Sequence, residues 1–472
     1  MRILLNSDTA WLLNVAEHML TGKIYGLDII ETNPPASALL YFPAVLLGRF
    51  TGLTSDTACI IYVLLLAALS NIFVLSLFKK HHILEQQSRW PVIVVMVFLT
   101  IFFPSGFFAQ KEHLVLLLIL PFLATATIEA KGNRPRSAER ILAGAGLGLV
   151  LCVKPHFILV PLFIGLYDFY KSRTFKAFIR TEYNVAALIL AGYAVMSFTV
   201  FSYYLNHVVP ELITIYALAN LPFLQMLLET EGAIYLIFLL FFFFLCRKSG
   251  TTPFQKITLL ASIGFYCAFL LQGKGYPYQL YPAVSCLFLA FSGGLSFNPA
   301  QMAKNSLNPF VTTGILFLFI ALFSRESLLI VARGLIFDLP QQVRILADLK
   351  EKPRVAGFVT STASAFPLVR AADGQWVLPS AYILSAQMFS PEILEDIQRG
   401  NYEDPMIQSA LKQIRDTSNV IMQEKPDILL MDNSPLWQEL VLHEAGARAV
   451  LDQYEEAEWS ENMIFYKRIM TQ

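Results

Sequence analysis

The chain has 472 residues, of which 56% are hydrophobic and 15% are charged. Soluble proteins carry about 25% charged residues, so this composition excludes an ordinary soluble enzyme and indicates a membrane protein. The formal net charge is zero, which gives no electrostatic basis for binding nucleic acid. The five cysteines lie in apolar runs without CxxC spacing, so neither a disulfide framework nor a zinc site is expected.

The chain opens with a polar, acid-bearing segment, residues 1–56, ahead of the apolar runs. Asp8 precedes an amphipathic stretch over 11–20, and Asp28 and Glu31 follow it. Acidic residues beside a membrane are costly to place and usually serve a function. Asp8 could equally act as a helix N-cap, and Asp28 and Glu31 could be solvated loop residues.

Residues 57–331 are predicted to form an α-helical polytopic bundle of about ten spans. Runs of about 20 apolar residues are what a bilayer core requires of a crossing helix. The predicted spans are 57–78, 91–108, 113–130, 139–153, 157–170, 184–205, 232–246, 257–272, 277–294 and 309–331.

The loops between these spans alternate in charge, and this alternation predicts their orientation. Lysines and arginines concentrate in every second loop, which the positive-inside rule assigns to the cytoplasm. Residues 1–56 and the tail after residue 331 then lie on the outer side. Since residues 1–56 would be exported with no preceding span, we expect a further helix ahead of residue 1. The alternative is that this segment inserts by itself.

The tail, 332–472, is predicted to be a soluble α/β domain on the outer side. Strands are expected at 354–359, 427–432, 453–459 and 463–469, and helices at 405–423 and 436–446. About 140 residues suffice for a small domain with its own core. The tail contains no catalytic motif.

Five polar clusters fall on the predicted outer side, although they lie far apart in the sequence. Their shared side is the main physical indication of a single site. Carboxylates supply a general base, lysines hold phosphate as point charges, and tyrosines form flat walls for sugar rings. The clusters are the acidic segment around Asp8, the residues 110–113, the residues 154–156, the loop 206–231 and the residues 272–282.

The order of these motifs resembles the GT-C superfamily of polytopic glycosyltransferases, which includes protein O-mannosyltransferases and the lipid A aminoarabinose transferase. The resemblance covers residues 6–295. It is carried by an early outer Asp8, by Tyr25-x-x-Asp28-x-x-Glu31-x-Asn33-Pro34-Pro35, and by the motifs Gln110-Lys111-Glu112-His113, Lys154-Pro155-His156 and Gln272-Gly273-Lys274-Gly275-Tyr276-Pro277-Tyr278. The last three motifs are similar to those of an unassigned bacterial subgroup.

The resemblance implies transfer of a sugar from a polyprenyl-phosphate donor to a cell-envelope glycan or lipid, with inversion. It implies a multi-pass protein of the bacterial inner membrane whose C-terminal domain is periplasmic. Asp8 would be the catalytic base and Glu112 a second catalytic acid, with a divalent metal ion held by Asp8 and Glu112 as an open alternative. Lys154 and Lys274 would bind the donor phosphate. The expected substrate-binding residues are Asp28, Glu31, Lys111, His113, His156, Gln272, Tyr276 and Tyr278.

Structural interpretations of the same residues stay open. Glu112 could pair with Lys111 or with another loop, His113 could be an interface residue, and Lys154 could extend to the membrane surface. Two other functions are also open. A secondary transporter or flippase would need charges near the middle of its spans and inverted repeats, and neither is evident. A non-catalytic assembly factor would leave the five clusters unrelated.

Overall fold

A helical bundle makes up residues 7–292 of the computed structural model, which describes residues 5–84, 89–218, 220–228, 230–294, 314, 318, 321, 322 and 339–469. Short 3₁₀ or π-helical turns join several of the helices. The α-helices of the bundle are Ser7–Met19, Pro35–Leu39, Phe42–Thr51, Ser55–Lys80, Arg89–Val97, Lys111–Ala130, Ser137–Val153, Leu159–Ser172, Thr181–Thr199, Val209–Leu218, Phe223–Leu228, Thr230–Ser249, Pro253–Gln272 and Tyr281–Ser292.

Three helices of the described residues are long and apolar enough to cross a membrane. They are Ser55–Lys80, Lys111–Ala130 and Pro253–Gln272. They confirm apolar membrane-length helices at the predicted spans 57–78, 113–130 and 257–272. Thr181–Thr199 and Tyr204–Tyr216 would form a fourth span if the pair, bent by 78°, crosses as one unit.

Two of the remaining predicted spans lie in continuous helices, 139–153 in Ser137–Val153 and 232–246 in Thr230–Ser249. The others are shorter or broken where the structure describes them. The expected span 91–108 is an apolar helix only over Arg89–Phe102, since Pro104 and a 3₁₀ turn follow it. The expected spans 157–170 and 277–294 each begin with a 3₁₀ turn, at Pro155 and Pro277. Proline interrupts a continuous helix because it lacks the amide donor. The span 309–331 falls almost entirely outside the described residues, so the total of about ten stays a prediction.

Helix Lys111–Ala130 forms the centre of the bundle. In its most apolar 18-residue segment, 89% of the residues are buried. In the corresponding segment of Ser55–Lys80 only 39% are buried, so that helix leaves a broad apolar face exposed. Helix Ser137–Val153 packs tightly against Lys111–Ala130, because a Cβ at Gly146 would lie 2.2 Å from the Leu118 carbonyl oxygen. Small residues allow such close approach of membrane helices. This pairing brings Lys111, at the start of one helix, to the same end of the bundle as Lys154, just after the other.

Five charged side chains tie the helices together at the opposite end. Arg140 pairs with Glu129 at 3.1 Å and with Glu182 at 2.9 Å. Arg180 pairs with Asp168 at 2.5 Å and also with Glu129. Each partly buried charge therefore has an opposite charge beside it, which is the condition for tolerating it there.

Residues 339–468 form an α/β unit with a five-stranded mixed sheet. The strands are β1 Arg354–Phe358, β2 Gln375–Trp376, β3 Ile428–Asp432, β4 Tyr454–Trp459 and β5 Met463–Arg468, in the order β2-β1-β3-β5-β4. β1 is parallel to β2 and β3, whereas β5 is antiparallel to β3 and β4. The four predicted strands are present, and the two-residue β2 is too short to leave a sequence pattern. The helices of the unit are Leu339–Leu349, Thr362–Ala365, Leu368–Ala371, Leu384–Gln387, Pro391–Gln398, Pro405–Glu424, Pro435–His443 and Ala445–Leu451.

Helix Ser7–Met19 lies between the bundle and the α/β unit. The Trp11 and Phe366 rings pack with their centroids 5.2 Å apart. Arg370 of the α/β unit donates to Glu17 at 2.8 Å and to Asp56, in the first turn of helix Ser55–Lys80, at 2.8 Å. The α/β unit therefore fixes the helix that carries Asp8 in its first turn.

Removing Arg370 is expected to loosen the α/β unit from the bundle. Burial acts to raise the pKa of Glu17, but Arg370 outweighs it and holds that pKa below its ordinary value. Arg370→Met leaves two partly buried carboxylates without this cation, and we expect a loss of about 2 kcal/mol. Since the wild-type pKa of Glu17 is depressed, the stabilisation from this pair exists above the unfolded pKa and is lost as pH falls through the folded one.

The apparent melting temperature of the detergent-solubilised protein and the rate of proteolysis between residues 339 and 469 measure this effect. Arg399→Met is the matched control, because Arg399 is exposed and its one ion pair among the described residues is with Glu395, four residues earlier. Equal melting temperatures for the two variants would contradict the clamp.

Candidate active site

A cavity of about 470 Å³ lies where helix Ser7–Met19, the bundle and the α/β unit meet. All five sequence-distant clusters contribute to this cavity, since Tyr216 and Asn220 of the loop 206–231 also line it. Nine of the twelve predicted site residues line the cavity. They are Asp8, Glu31, Lys111, Lys154, His156, Gln272, Lys274, Tyr276 and Tyr278. Charged side chains of both signs therefore share one concave space at the end of apolar helices.

Asp8 stands in the first turn of helix Ser7–Met19, at the cavity wall. The N-cap is Asn6, whose side chain accepts the Asp8 amide at 3.0 Å, so the alternative of Asp8 as the cap is wrong. Asp8 Oδ2 accepts from Gln110 Nε2 at 3.2 Å and lies 3.7 Å from Lys111 Nζ. In the described chain no hydrogen bond or ion pair reaches Asp8 Oδ1. One carboxylate oxygen is therefore oriented and the other is available to a ligand.

Glu31 is a buried carboxylate that joins the acidic loop to helix Ser7–Met19. Its Oε2 accepts from Trp11 Nε1, and its Oε1 accepts from the Asn33 amide at 2.7 Å and from Asn33 Nδ2 at 2.6 Å. Burial raises the pKa of Glu31, which these hydrogen bonds and Lys111 partly oppose. Glu31 is 3% exposed and is no solvated loop residue. It fixes the cavity wall beside Asp8.

Lys154 forms a buried ion pair at the floor of the cavity. Its Nζ donates to Glu112 Oε1 at 2.6 Å and to Gln272 Oε1 at 2.6 Å. Lys154 is 8% exposed, so it does not extend to the membrane surface. Glu112 itself is 1% exposed and does not line the cavity. The pair links three helix ends that are distant in sequence.

Lys274 differs from the other two lysines because no carboxylate pairs with it among the described residues. Its Nζ donates to the Tyr216 carbonyl oxygen at 2.9 Å and lies 4.4 Å from the centre of that ring. Burial lowers the pKa of Lys274 to about 8. The flanking Gly273 and Gly275 have φ of 63° and 70°, which side chains rarely adopt. This backbone turns the lysine into the cavity.

Tyrosine rings form a flat part of the wall. Tyr276 and Tyr278 stack with centroids 5.6 Å apart and an interplanar angle of 10°. Lys111 Nζ lies 5.5 Å from the centre of the Tyr278 ring, within the usual range of a cation–π contact. Aromatic faces of this kind suit the C–H face of a sugar ring.

Three of the predicted residues lie outside the cavity lining. Besides Glu112, they are Asp28, which is exposed and accepts from the Ile24 amide at 2.7 Å, and His113. His113 Nδ1 accepts from the Ala109 amide at 3.1 Å, so its Nε2–H donates to the Thr100 carbonyl at 2.9 Å. The side chain of Asp28 therefore caps a turn, and that of His113 links buried backbone segments, so both have structural roles.

The sequence analysis missed part of the lining. The α/β unit contributes residues in loops and short helices that carry no motif, Tyr382 above all. Gln279 lies directly after Tyr278 and also lines the cavity, with its Oε1 buried and without a hydrogen-bond partner in the described structure. Its position directly after the motif 272–278 was the one feature of the sequence that pointed to it. The described ranges contain no group of three or more His, Cys, Asp or Glu side chains that could hold a metal ion.

The fold is similar to that of ArnT from Cupriavidus metallidurans. Its crystal structure bound to undecaprenyl phosphate matches with a TM-score of 0.57 and 10% identity, and its apo structure with 0.55 and 12% identity. Each match covers 99% of this chain and 94% of that chain. The chain therefore shares the overall fold of this ArnT over nearly its whole length. No protein-family model matches the sequence, and no curated protein matches it significantly.

Removing one charge of the Lys154–Glu112 pair is expected to destabilise the protein more than removing both. Glu112→Leu leaves Lys154 buried without its counter-ion, and we expect a loss of about 3 kcal/mol. The double variant Glu112→Leu/Lys154→Met removes both charges and should recover most of that loss. Melting temperatures of the purified proteins in detergent measure both effects. A single variant as stable as the wild type, or a double variant no better than the single one, would contradict the buried pair.

Proposed function

We propose that this chain transfers a sugar from a polyprenyl-phosphate donor to a cell-envelope glycan or lipid, with Asp8 as the general base. The observation that carries the proposal is the single cavity in which the half-exposed Asp8 carboxylate and three lysines face one another. A base for the acceptor hydroxyl and cations for a departing phosphate are what this reaction requires.

The three lysines support a phosphate site. Lys111 and Lys154 are each beside a carboxylate, Asp8 and Glu112 respectively, so they add little net charge to the cavity. Lys274 carries a charge that no carboxylate offsets among the described residues, which makes it the principal phosphate ligand. The similarity to a fold seen with undecaprenyl phosphate bound supports the same class of donor. Glu112 acts through Lys154 as a positioning residue.

The reaction balances without a further reactant. The acceptor hydroxyl oxygen attacks the anomeric carbon while Asp8 Oδ1 takes its proton. The bond between the anomeric carbon and the phosphate oxygen breaks, and the polyprenyl phosphate leaves with the electron pair. Attack from the face opposite the phosphate inverts the configuration. Gln110 and Lys111 hold Asp8 Oδ2 and so direct the other oxygen toward the acceptor.

The proposed arrangement divides the chain into three parts. Residues 1–56 carry the base, residues 57–331 form the membrane bundle and the donor site, and residues 332–472 form an outer domain. The orientation follows from the basic loops, which put the cavity and the α/β unit on the periplasmic side of a bacterial inner membrane.

Asp8→Asn is expected to abolish transfer and to keep donor binding. The amide retains the size of Asp8 but cannot accept the acceptor proton, so we expect a loss of at least about 100-fold in turnover. The extra sugar mass on envelope glycans and lipids of cells expressing the variant measures transfer. Asp28→Asn is the matched control, because Asp28 is exposed and outside the cavity. A normal sugar increment with Asp8→Asn would remove Asp8 from the role of base.

The affinity for undecaprenyl phosphate is expected to fall as the pH rises through about 8. Lys274 is protonated below its pKa of about 8 and neutral above it, so its attraction for phosphate is lost on the alkaline side. Lys274→Arg should bind undecaprenyl phosphate with little change between pH 7 and pH 9, because arginine stays charged. Titrations of the detergent-solubilised protein measure this, and a step near pH 8 that persists in Lys274→Arg would assign it to another group.

A further inference from the structure

The two sides of the cavity differ in charge. Every charged lining residue belongs to the first 294 residues: Asp8, Glu31, Lys111, Lys154 and Lys274. The α/β unit contributes six residues, here called the C-terminal wall, and none of them is charged. They are Thr362, Ser380, Ala381, Tyr382, Leu384 and Gln387.

Hydrogen bonds hold the C-terminal wall in place. The Trp376 indole donates to the Ser380 carbonyl at 2.7 Å, and the Ile383 amide donates to the Val359 carbonyl at 2.8 Å. The Ile30 amide, in the acidic loop, donates to the Pro379 carbonyl at 2.8 Å. The wall is therefore a fixed surface joined both to the sheet and to the loop that carries Glu31.

No cation of the described α/β unit lines the cavity. Arg370, whose short helix follows the one that begins at Thr362 of the wall, points its guanidinium at Glu17 and Asp56. A phosphate or carboxylate carried by a ligand at this wall would therefore lose its water and gain only neutral hydrogen-bond donors, with no cation to offset its charge. Uncharged hydroxyl groups meet no such cost, because hydroxyl and amide side chains can bond with them.

Tyr382 brings the wall close to the proposed base. Tyr382 lines the same cavity as Tyr216, Glu31 and Asp8. Burial raises the pKa of its phenol well above the ordinary value, so the phenol stays a neutral donor. A ligand rich in hydroxyl groups can bond with this phenol and with the hydroxyl groups of Thr362 and Ser380 in the same wall.

We propose that the C-terminal wall binds an uncharged glycan as the acceptor, with Tyr382 against its sugar ring and its reacting hydroxyl at Asp8. This inference rests on the proposed sugar transfer and selects the neutral glycan from the acceptor classes that the transfer leaves open. A phosphorylated lipid headgroup is the acceptor that the wall disfavours.

The acceptor unit itself provides the first test. Cells lacking the gene and cells complemented with it are compared by fragmentation mass spectrometry of their envelope glycans and lipids. We expect the sugar increment on a unit that bears neither phosphate nor carboxylate. An increment on a phosphorylated lipid headgroup would overturn the neutral acceptor while leaving sugar transfer intact. The absence of any increment that depends on both the gene and Asp8 would overturn both proposals.

Two variants that place opposite charges at position 387, Gln387→Lys and Gln387→Glu, give a second test in the full-length protein. Gln387 is exposed at the edge of the wall, so either charge is compatible with folding. With a neutral acceptor, Gln387→Lys and Gln387→Glu should give sugar increments within about threefold of each other. With a charged acceptor they should change the increment in opposite directions and differ by more than about tenfold, because one attracts and the other repels it. Undecaprenyl phosphate binding of each variant corrects for any effect on the donor side.

Tyr382 provides the third test, with Tyr402 as its matched control. Tyr402 is a tyrosine of the same unit that stacks on His443 and does not line the cavity. Tyr382→Ala should reduce the sugar increment by at least about tenfold, which is the scale of one aromatic contact, and change undecaprenyl phosphate binding by less than about twofold. Tyr402→Ala should leave both unchanged. A normal increment in a folded Tyr382→Ala protein would overturn the assignment of the wall.

Discussion

The pairing of charges at one end of an apolar bundle is the constraint on which the site depends. Lys111 and Glu112 occupy the first turn of the most buried of the three membrane-length helices, where an unpaired charge would be strongly destabilising. Each is compensated from another part of the chain, Lys111 by Asp8 and Glu112 by Lys154. Because both partners come from a distance, the charges that the chemistry requires also determine how the acidic segment and the helix ends assemble.

This constraint separates the lysines by role. Lys154 is held by Glu112 and Gln272 at 2.6 Å each, which makes it a fixed feature of the floor. Lys274 sits on a glycine-flanked turn, contacts only a carbonyl and a ring in the described structure, and has a pKa lowered to about 8 by burial. The group that is least compensated is the one whose charge is most available to an incoming phosphate. Stability and ligand binding are thus assigned to different side chains of the same type.

The sequence predicted the membrane class, long apolar helices, the main strands and all five charged residues of the cavity lining, because each leaves a local pattern. Hydropathy identifies a helix such as Lys111–Ala130, and motif order identifies Asp8 and Lys274. Proline indicated that several spans are short or broken, but not where the breaks fall, since the run 91–108 stays apolar through the turns around Pro104. The Lys154–Glu112 pair and the place of Tyr382 were not predictable, because they depend on contacts between residues far apart in the chain.

The α/β unit completes a cavity whose charges it does not supply. It fixes helix Ser7–Met19 through Arg370 and the acidic loop through the Pro379 carbonyl, and it presents only neutral side chains to the space between them. A base that must take a proton from a hydroxyl is served by such a wall, because a further cation there would lower the proton affinity of Asp8. In the proposed reaction, the neutral wall would therefore favour both the acceptor and the base, whereas the cations on the membrane side would stabilise the leaving phosphate.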